Sequence, residues 1–95
     1  MYYYVYILTN TYNKVLYIGV TNNLKRRLYE HQEGLIPGFS KRYNLHKIVH
    51  FEQFSEVEEA IAREKQLKGW KRERKDCLIT ENNPNWEDLS KMVYA

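Results

Sequence analysis

Tyr2-Tyr3-Tyr4-Val5-Tyr6-Ile7-Leu8 opens the chain, and Val15-Leu16-Tyr17-Ile18-Gly19-Val20 follows it after a polar connection. Both runs are rich in the β-branched and aromatic side chains that favour strands. Side chains alternate along a strand, so Tyr2, Tyr4, Tyr6 and Leu8 share one face and Tyr3, Val5 and Ile7 the other. Neither face is polar, which predicts a central strand covered on both sides. Asn10-Thr11-Tyr12-Asn13-Lys14 reads as a turn, and its shortness makes the two strands a hairpin. Val15, Tyr17 and Gly19 then share a face.

Downstream, Thr21-Asn22-Asn23 supplies N-cap candidates for a helix over 22–33 that stops at Gly34. Leu24 and Leu28, four apart, should face the sheet. Arg27 and His31 form a second stripe, and Lys25 and Arg26 extend the positive surface. Pro37 and the flanking glycines predict a loop over 34–40, followed by the basic pair Lys41-Arg42. A third strand over 46–54 would lie on the free edge of the first, with the helix crossing over between them. Ser55 and Glu58 have the spacing of a capping box. It would start a helix over 56–68 that ends at Gly69. Trp70 to Ile79 reads as a further helix, broken by Asn82-Asn83-Pro84, and Trp86, Leu89 and Met92 as a C-terminal cover.

The 95 residues suffice for one small domain, 1–95. Hydrophobic residues make up 43% of it, nine of them tyrosines, so the core should have polar edges. A net charge of +3 says little by itself about nucleic acid; only its arrangement can make a binding face. The single cysteine, Cys77, excludes an intrachain disulfide, favours a reducing compartment, and reads as a small buried hydrophobe. The N-terminal apolar run lacks a basic leader and is too short for a signal peptide or membrane span, so a cytoplasmic location is expected.

Glu64 is the anomaly. The apolar stripe of its helix holds Val57, Ala60, Ile61 and Leu67, and Glu64 falls in the middle. A carboxylate on a buried face is costly unless a charge meets it. It either pairs with a basic residue or holds a hard divalent cation. Arg27 is either surface charge or a planar fork suited to the negative charge of a phosphoryl transition state. His31 is either a solvated helix residue or a phosphate and water ligand. Tyr6 and Tyr17 are core aromatics unless their hydroxyls converge, in which case one could act as a base with cationic help. Gly19 is a turn or bulge residue, or leaves room for a phosphate. Lys68, Trp70, Lys71 and Arg72 belong to a basic run over 63–75. That run is either a solvated face or, with Lys25, Arg26, Lys41 and Arg42, a surface tracking a nucleic-acid backbone.

These residues resemble the GIY-YIG nuclease superfamily. Tyr4-Val5-Tyr6 and Tyr17-Ile18-Gly19 stand at its two name motifs. The first departs from the pattern, with Tyr4 for Gly and Val5 for Ile, while the motif tyrosine persists as Tyr6. Arg27, in Gly19-Val20-Thr21-Asn22-Asn23-Leu24-Lys25-Arg26-Arg27, falls on the essential arginine. His31 falls on a His or Tyr position, and Glu64 on the metal-binding glutamate. Asn83 falls on a late asparagine, with Asn82 a competing assignment. The chain is most similar to short stand-alone bacterial members, related to the N-terminal nuclease domain of the excision-repair incision subunit, which implies DNA repair. The resemblance implies an α+β domain, a small three-stranded, mainly antiparallel sheet flanked by helices in the order β-β-α-β-α-α. It also implies catalytic roles for Tyr6, Tyr17, Arg27, His31 and Asn83, Mg²⁺ or Mn²⁺ on Glu64, and DNA as substrate with RNA left open. A nucleic-acid-binding module that cuts poorly is the alternative, and a protein adaptor using the aromatic N-terminal strand is a third.

Overall fold

The computed structural model describes all residues, Met1–Ala95. Three antiparallel strands form one sheet in the order β2-β1-β3: β1 (Tyr3–Thr9), β2 (Leu16–Thr21) and β3 (Lys47–Phe54). Five helices flank it: α1 (Leu24–Gln32), α2 (Phe39–Arg42), α3 (Val57–Gly69), α4 (Arg72–Asn82) and α5 (Ser90–Tyr94). The expected class and strand arrangement hold, with β1 central. Two short helices, α2 and α5, are added to the expected order.

β1 is apolar on both faces because each face has its own core. Val5 and Ile7 pack with Ile18, Val49, Ala60, Leu67 and Ile79, under α3 and α4. Tyr6 and Leu8 pack with Leu24, Leu28, Leu45, Ile48 and Val93, under α1 and α5. The strand thus has a helical layer on either side, and register follows from alternation. One irregularity, between Ile7 and Leu8, lets β3 gain a residue at Val49.

The hairpin turn is tied by its own polar side chains. Asn10 Oδ1 accepts from Lys14 N at 2.8 Å, and Thr9 Oγ1 donates to the Val15 carbonyl at 2.8 Å. Arg72 then staples the turn to α4, donating to the Asn13 and Lys14 carbonyls, each at 2.7 Å. At the other sheet edge, the Asp88 carboxylate accepts from Ile48 N and the Leu89 N–H donates to the Ile48 carbonyl. That end of β3 is therefore not an open edge.

α1 starts where its sequence says. Asn23 Oδ1 accepts from Arg26 N at 3.1 Å, and Gly34 ends the helix with φ +68°, a left-handed conformation that favours glycine. Five expectations about individual residues fail. Ser55 does not cap α3: Glu56 occupies the N-cap without a side-chain bond, so no capping box forms. Gly69 is the last helical residue, and Trp70, in extended conformation, follows it. Ile61 points outward, leaving Ala60 and Leu67 as the buried anchors of α3. Cys77 is exposed on α4, because Ile79 supplies the apolar anchor there. In the C-terminal cover, Leu89 and Val93 pack inward and Met92 faces solvent.

Candidate active site

Four side chains converge where β1, β2 and α1 meet. Tyr6 is buried, and its hydroxyl lies 3.0 Å from His31 Nε2. The other ring nitrogen of His31, Nδ1, is 2.8 Å from Ser40 Oγ on α2. The Tyr17 ring, half-buried, stands 6.3 Å from the Tyr6 ring and 5.3 Å from the His31 ring, centroid to centroid. Arg27, one turn before His31 on α1, is half-exposed and 3.9 Å from Glu30.

Local sequence explains this convergence. Tyr6 and Gly19 are directly opposed in the β1–β2 ladder. A Cβ on Gly19 would collide with the Tyr6 hydroxyl and stand 2.5 Å from its Cζ. Gly19 is therefore needed for the space over which the phenol lies, a different requirement from the expected bulge or phosphate approach. The four-residue spacing of Arg27 and His31 puts both on the same stripe of α1.

The electrostatics set the protonation states. Burial raises the Tyr6 phenol far above its ordinary range, helped by Tyr17, Glu64 and Glu30 and opposed by Arg27. Burial, and after it the Arg27 charge, lowers His31 to about 4. At neutral pH the pair is thus a protonated phenol and a neutral imidazole. A neutral imidazole has one N–H, so one neighbour of His31 donates to it and the other accepts from it. Tyr6, His31 and Ser40 form a continuous hydrogen-bonded row.

Glu64 reaches the same region from α3, and its charge is felt at Tyr6. Its side chain is only 16% exposed and is met by Lys68 Nζ at 3.3 Å. The charge demanded by a carboxylate on a buried stripe is therefore present. The structure brings no three or more His, Cys, Asp or Glu side chains together in a way that could hold a metal ion. A cation on Glu64 would draw its other oxygen donors from substrate phosphate and water. A hard ion that keeps much of its hydration accepts such a donor set.

Asn83 is not part of the converging group. Its amide donates to the Val49 and Glu87 carbonyls at 3.1 and 2.9 Å and accepts from Glu87 N at 3.0 Å. It fastens the end of α4 to β3. Asn82, the competing assignment, bonds only to its own helix at Leu78.

The expected nucleic-acid contacts divide. Lys25 and Arg26 on α1, and Lys41 and Arg42 on α2, are exposed. Lys71 is exposed at the start of α4. Lys68 pairs with Glu64, and the Arg72 guanidinium is committed to the hairpin turn and Asp76. Trp70 packs against the core, with the Arg74 and Arg63 guanidinium carbons 4.0 and 5.2 Å from its ring centre. Arg63 in turn holds Glu52, where the hydrogen bonds of His50 and Arg63 outweigh burial and bring the carboxyl down to about 2.

Sequence reasoning missed Ser40 and Glu30. Ser40 is buried on a one-turn helix too short for any periodicity, and only its place after Pro37-Gly38 hinted at a fixed structure. Glu30 sits beside Arg27 and His31 on α1, where its charge reads as ordinary surface.

A sheet of this order, with paired tyrosines on its hairpin and an Arg–His helix across them, defines a GIY-YIG catalytic domain. The family model of that description matches residues 2–76, and the chain belongs to the GIY-YIG family. It is similar to UPF0213 proteins, the short stand-alone members. The one from Clostridium perfringens is 34% identical over 90 residues, 95% of this chain and 96% of the relative. That from Syntrophus aciditrophicus is 38% identical, over 83% of this chain and 91% of the relative. The solution NMR structure of a UPF0213 protein from Bacillus halodurans superposes with a TM-score of 0.61 at 27% identity, covering 96% of both chains. Membership makes this a nuclease-type domain. No helix is long and apolar enough to cross a membrane.

Proposed function

We propose that this chain is a divalent-metal-dependent endonuclease that hydrolyses DNA phosphodiester bonds, selecting its substrate by structure or with low sequence specificity. The observation that carries the reading is the contact of the Tyr6 hydroxyl with His31, under Tyr17 and beside Arg27 and Glu64.

In this reading water attacks the phosphorus, and the bond to the 3′ oxygen breaks. Tyr6, whose hydroxyl contacts His31 Nε2, and Tyr17 beside it position the attacking water, and His31, fixed by Ser40, orients the phosphate or the water. The water's proton passes to solvent, and the departing 3′ oxygen takes one from solvent. Tyr17, on the open side of Tyr6, orients the water or the phosphate. Arg27 stabilises the charge that grows on the non-bridging oxygens, where a permanently charged fork acts best. Glu64 would hold Mg²⁺ or Mn²⁺, which when bound supplies Lewis-acid stabilisation of the phosphate and leaving oxygen. Asn83 keeps α4 and the C-terminal segment registered on β3. Lys25, Arg26, Lys41, Arg42 and Lys71 meet the substrate backbone. A reducing cytoplasmic location and a role in DNA repair fit this activity.

The alternative, a binding module that cuts poorly, is favoured by one observation: Lys68 already occupies Glu64. A cleavage assay separates the two. Labelled single strand, duplex, flap, fork and four-way junction are incubated with Mg²⁺, Mn²⁺ or EDTA, with Glu64→Ala and Arg27→Ala alongside. Metal-dependent cuts lost in both variants are expected. Binding without cuts on every substrate would establish the module instead.

A further inference from the structure

The catalytic aromatic row does not end at Tyr17. Phe39, on α2, lies 6.4 Å from Tyr17 with the ring planes 27° apart, and Tyr43 lies 4.8 Å beyond Phe39. Both outer rings face water: Phe39 is 48% exposed and Tyr43 42%. A single exposed aromatic needs no explanation. Two in mutual contact, continuous with a tyrosine of the candidate site, present an apolar surface that nothing else in the chain covers.

The surroundings fit one kind of occupant. Phe39 and Tyr43 border an open hollow of about 700 Å³, completed by Pro37, Gly38, Lys41 and Arg42. Its lining contains two cations and no acid, and the Arg42 guanidinium carbon is 5.8 Å from the Tyr43 ring centre. Flat rings with cations beside them suit a nucleobase on the rings and its phosphates on the cations. α2 is also fixed relative to the candidate site, because buried Ser40, between Phe39 and Lys41, bonds His31. A base seated here would therefore hold a set distance from the Tyr6–His31 pair. A base inside a duplex is already stacked and paired, so only an unpaired or extruded nucleotide can occupy the rings.

We infer that Phe39 and Tyr43 are a stacking platform for an unpaired DNA base flanking the scissile phosphate, with Lys41 and Arg42 taking the adjoining phosphates. The substrate class is then single-stranded DNA or DNA with unpaired nucleotides at a junction. This rests on the nuclease reading above and names its substrate.

Binding in EDTA tests the platform apart from chemistry. Fluorescence anisotropy would compare a 12-nucleotide single strand, the matching duplex and the equivalent RNA on wild type, Phe39→Ala/Tyr43→Ala and Phe39→Leu/Tyr43→Leu. The Leu pair retains bulk and guards against loss of fold. Both double variants should lose about tenfold or more on the single strand and little on the duplex. A single abasic site walked along the strand should reproduce the loss at one or two positions. Equal losses on single strand and duplex, or no loss in either variant, would overturn the platform, as would a loss seen only on RNA. Mg²⁺-dependent cleavage is then read separately. Its absence alongside ring-dependent single-strand binding would reject the nuclease reading while supporting the platform.

Discussion

The Tyr6 hydroxyl and His31 Nε2, 25 residues apart in the chain, lie 3.0 Å apart inside the protein. Burial holds the first as a phenol and the second as a neutral imidazole. Tyr6→Phe keeps the ring and removes the hydroxyl that contacts His31. It should lower single-turnover cleavage by about 10²- to 10³-fold, the scale of a lost preorganised polar group. It also strands a buried imidazole nitrogen, so thermal unfolding should show a loss of about 1–3 kcal/mol. Wild-type turnover in this variant would exclude Tyr6 from the chemistry.

Gly19→Ala tests the space under that hydroxyl. The backbone there tolerates alanine, but the added methyl collides with the Tyr6 phenol. Tyr6 must shift and its contact with His31 must lengthen. Overpacking of this kind costs about 1–3 kcal/mol, and cleavage should fall with it. Pairing Gly19→Ala with Tyr6→Phe should be much less than additive in activity; full additivity would mean that Gly19 acts elsewhere.

Acid should destabilise the fold in two windows. The unfolded imidazole of His31 takes a proton near pH 6.5 and the folded one holds out to about 4. The unfolded chain therefore gains protons first, and stability falls as pH drops from 6.5 to 4, by about 3 kcal/mol. Glu52 moves from 4.5 down to about 2. Its contribution is complete above 4.5 and is lost between 4.5 and 2, again by about 3 kcal/mol. Urea titrations across this range should show the upper window vanish in His31→Gln and the lower one shrink in Glu52→Gln.

Lys68→Ala should ease metal binding. Lys68, 55% exposed, competes with a cation for Glu64. Removing it should lower the half-saturating Mg²⁺ concentration by roughly 2- to 5-fold, the range of an exposed ion pair. A higher Mg²⁺ requirement would count against Glu64 as the ligand.

Asn83→Ala should read as a stability variant. It leaves the Val49 and Glu87 carbonyls and the Glu87 N–H without the partner they share. A loss of about 2–3 kcal/mol in chemical denaturation is expected. Below its melting range the enzyme should keep most of its kcat; a kcat loss without a stability loss would return Asn83 to the chemistry.

The alternation of Tyr, Val and Ile in β1 and β2 made the hairpin and its two-sided core legible, because period 2 can be read from single residues. The Arg27–His31 stripe and the misplaced Glu64 were legible for the same reason on helices. Ser40 was not, since four helical residues have no period to read. Nor could spacing reveal that Arg72 spends its guanidinium on the hairpin turn or that Asn83 joins α4 to β3. Those roles depend on partners 34 to 59 positions away. Cys77 misled because an exposed thiol and a buried one look alike in composition.

The proposed site draws residues from two helices on different layers of the fold. Arg27 and His31 belong to the layer of α1, whereas Glu64 belongs to the layer of α3. In the nuclease reading, a chain with only one of these helices docked on the sheet holds either the arginine and histidine or the carboxylate, never both, so the activity requires the whole domain to be folded.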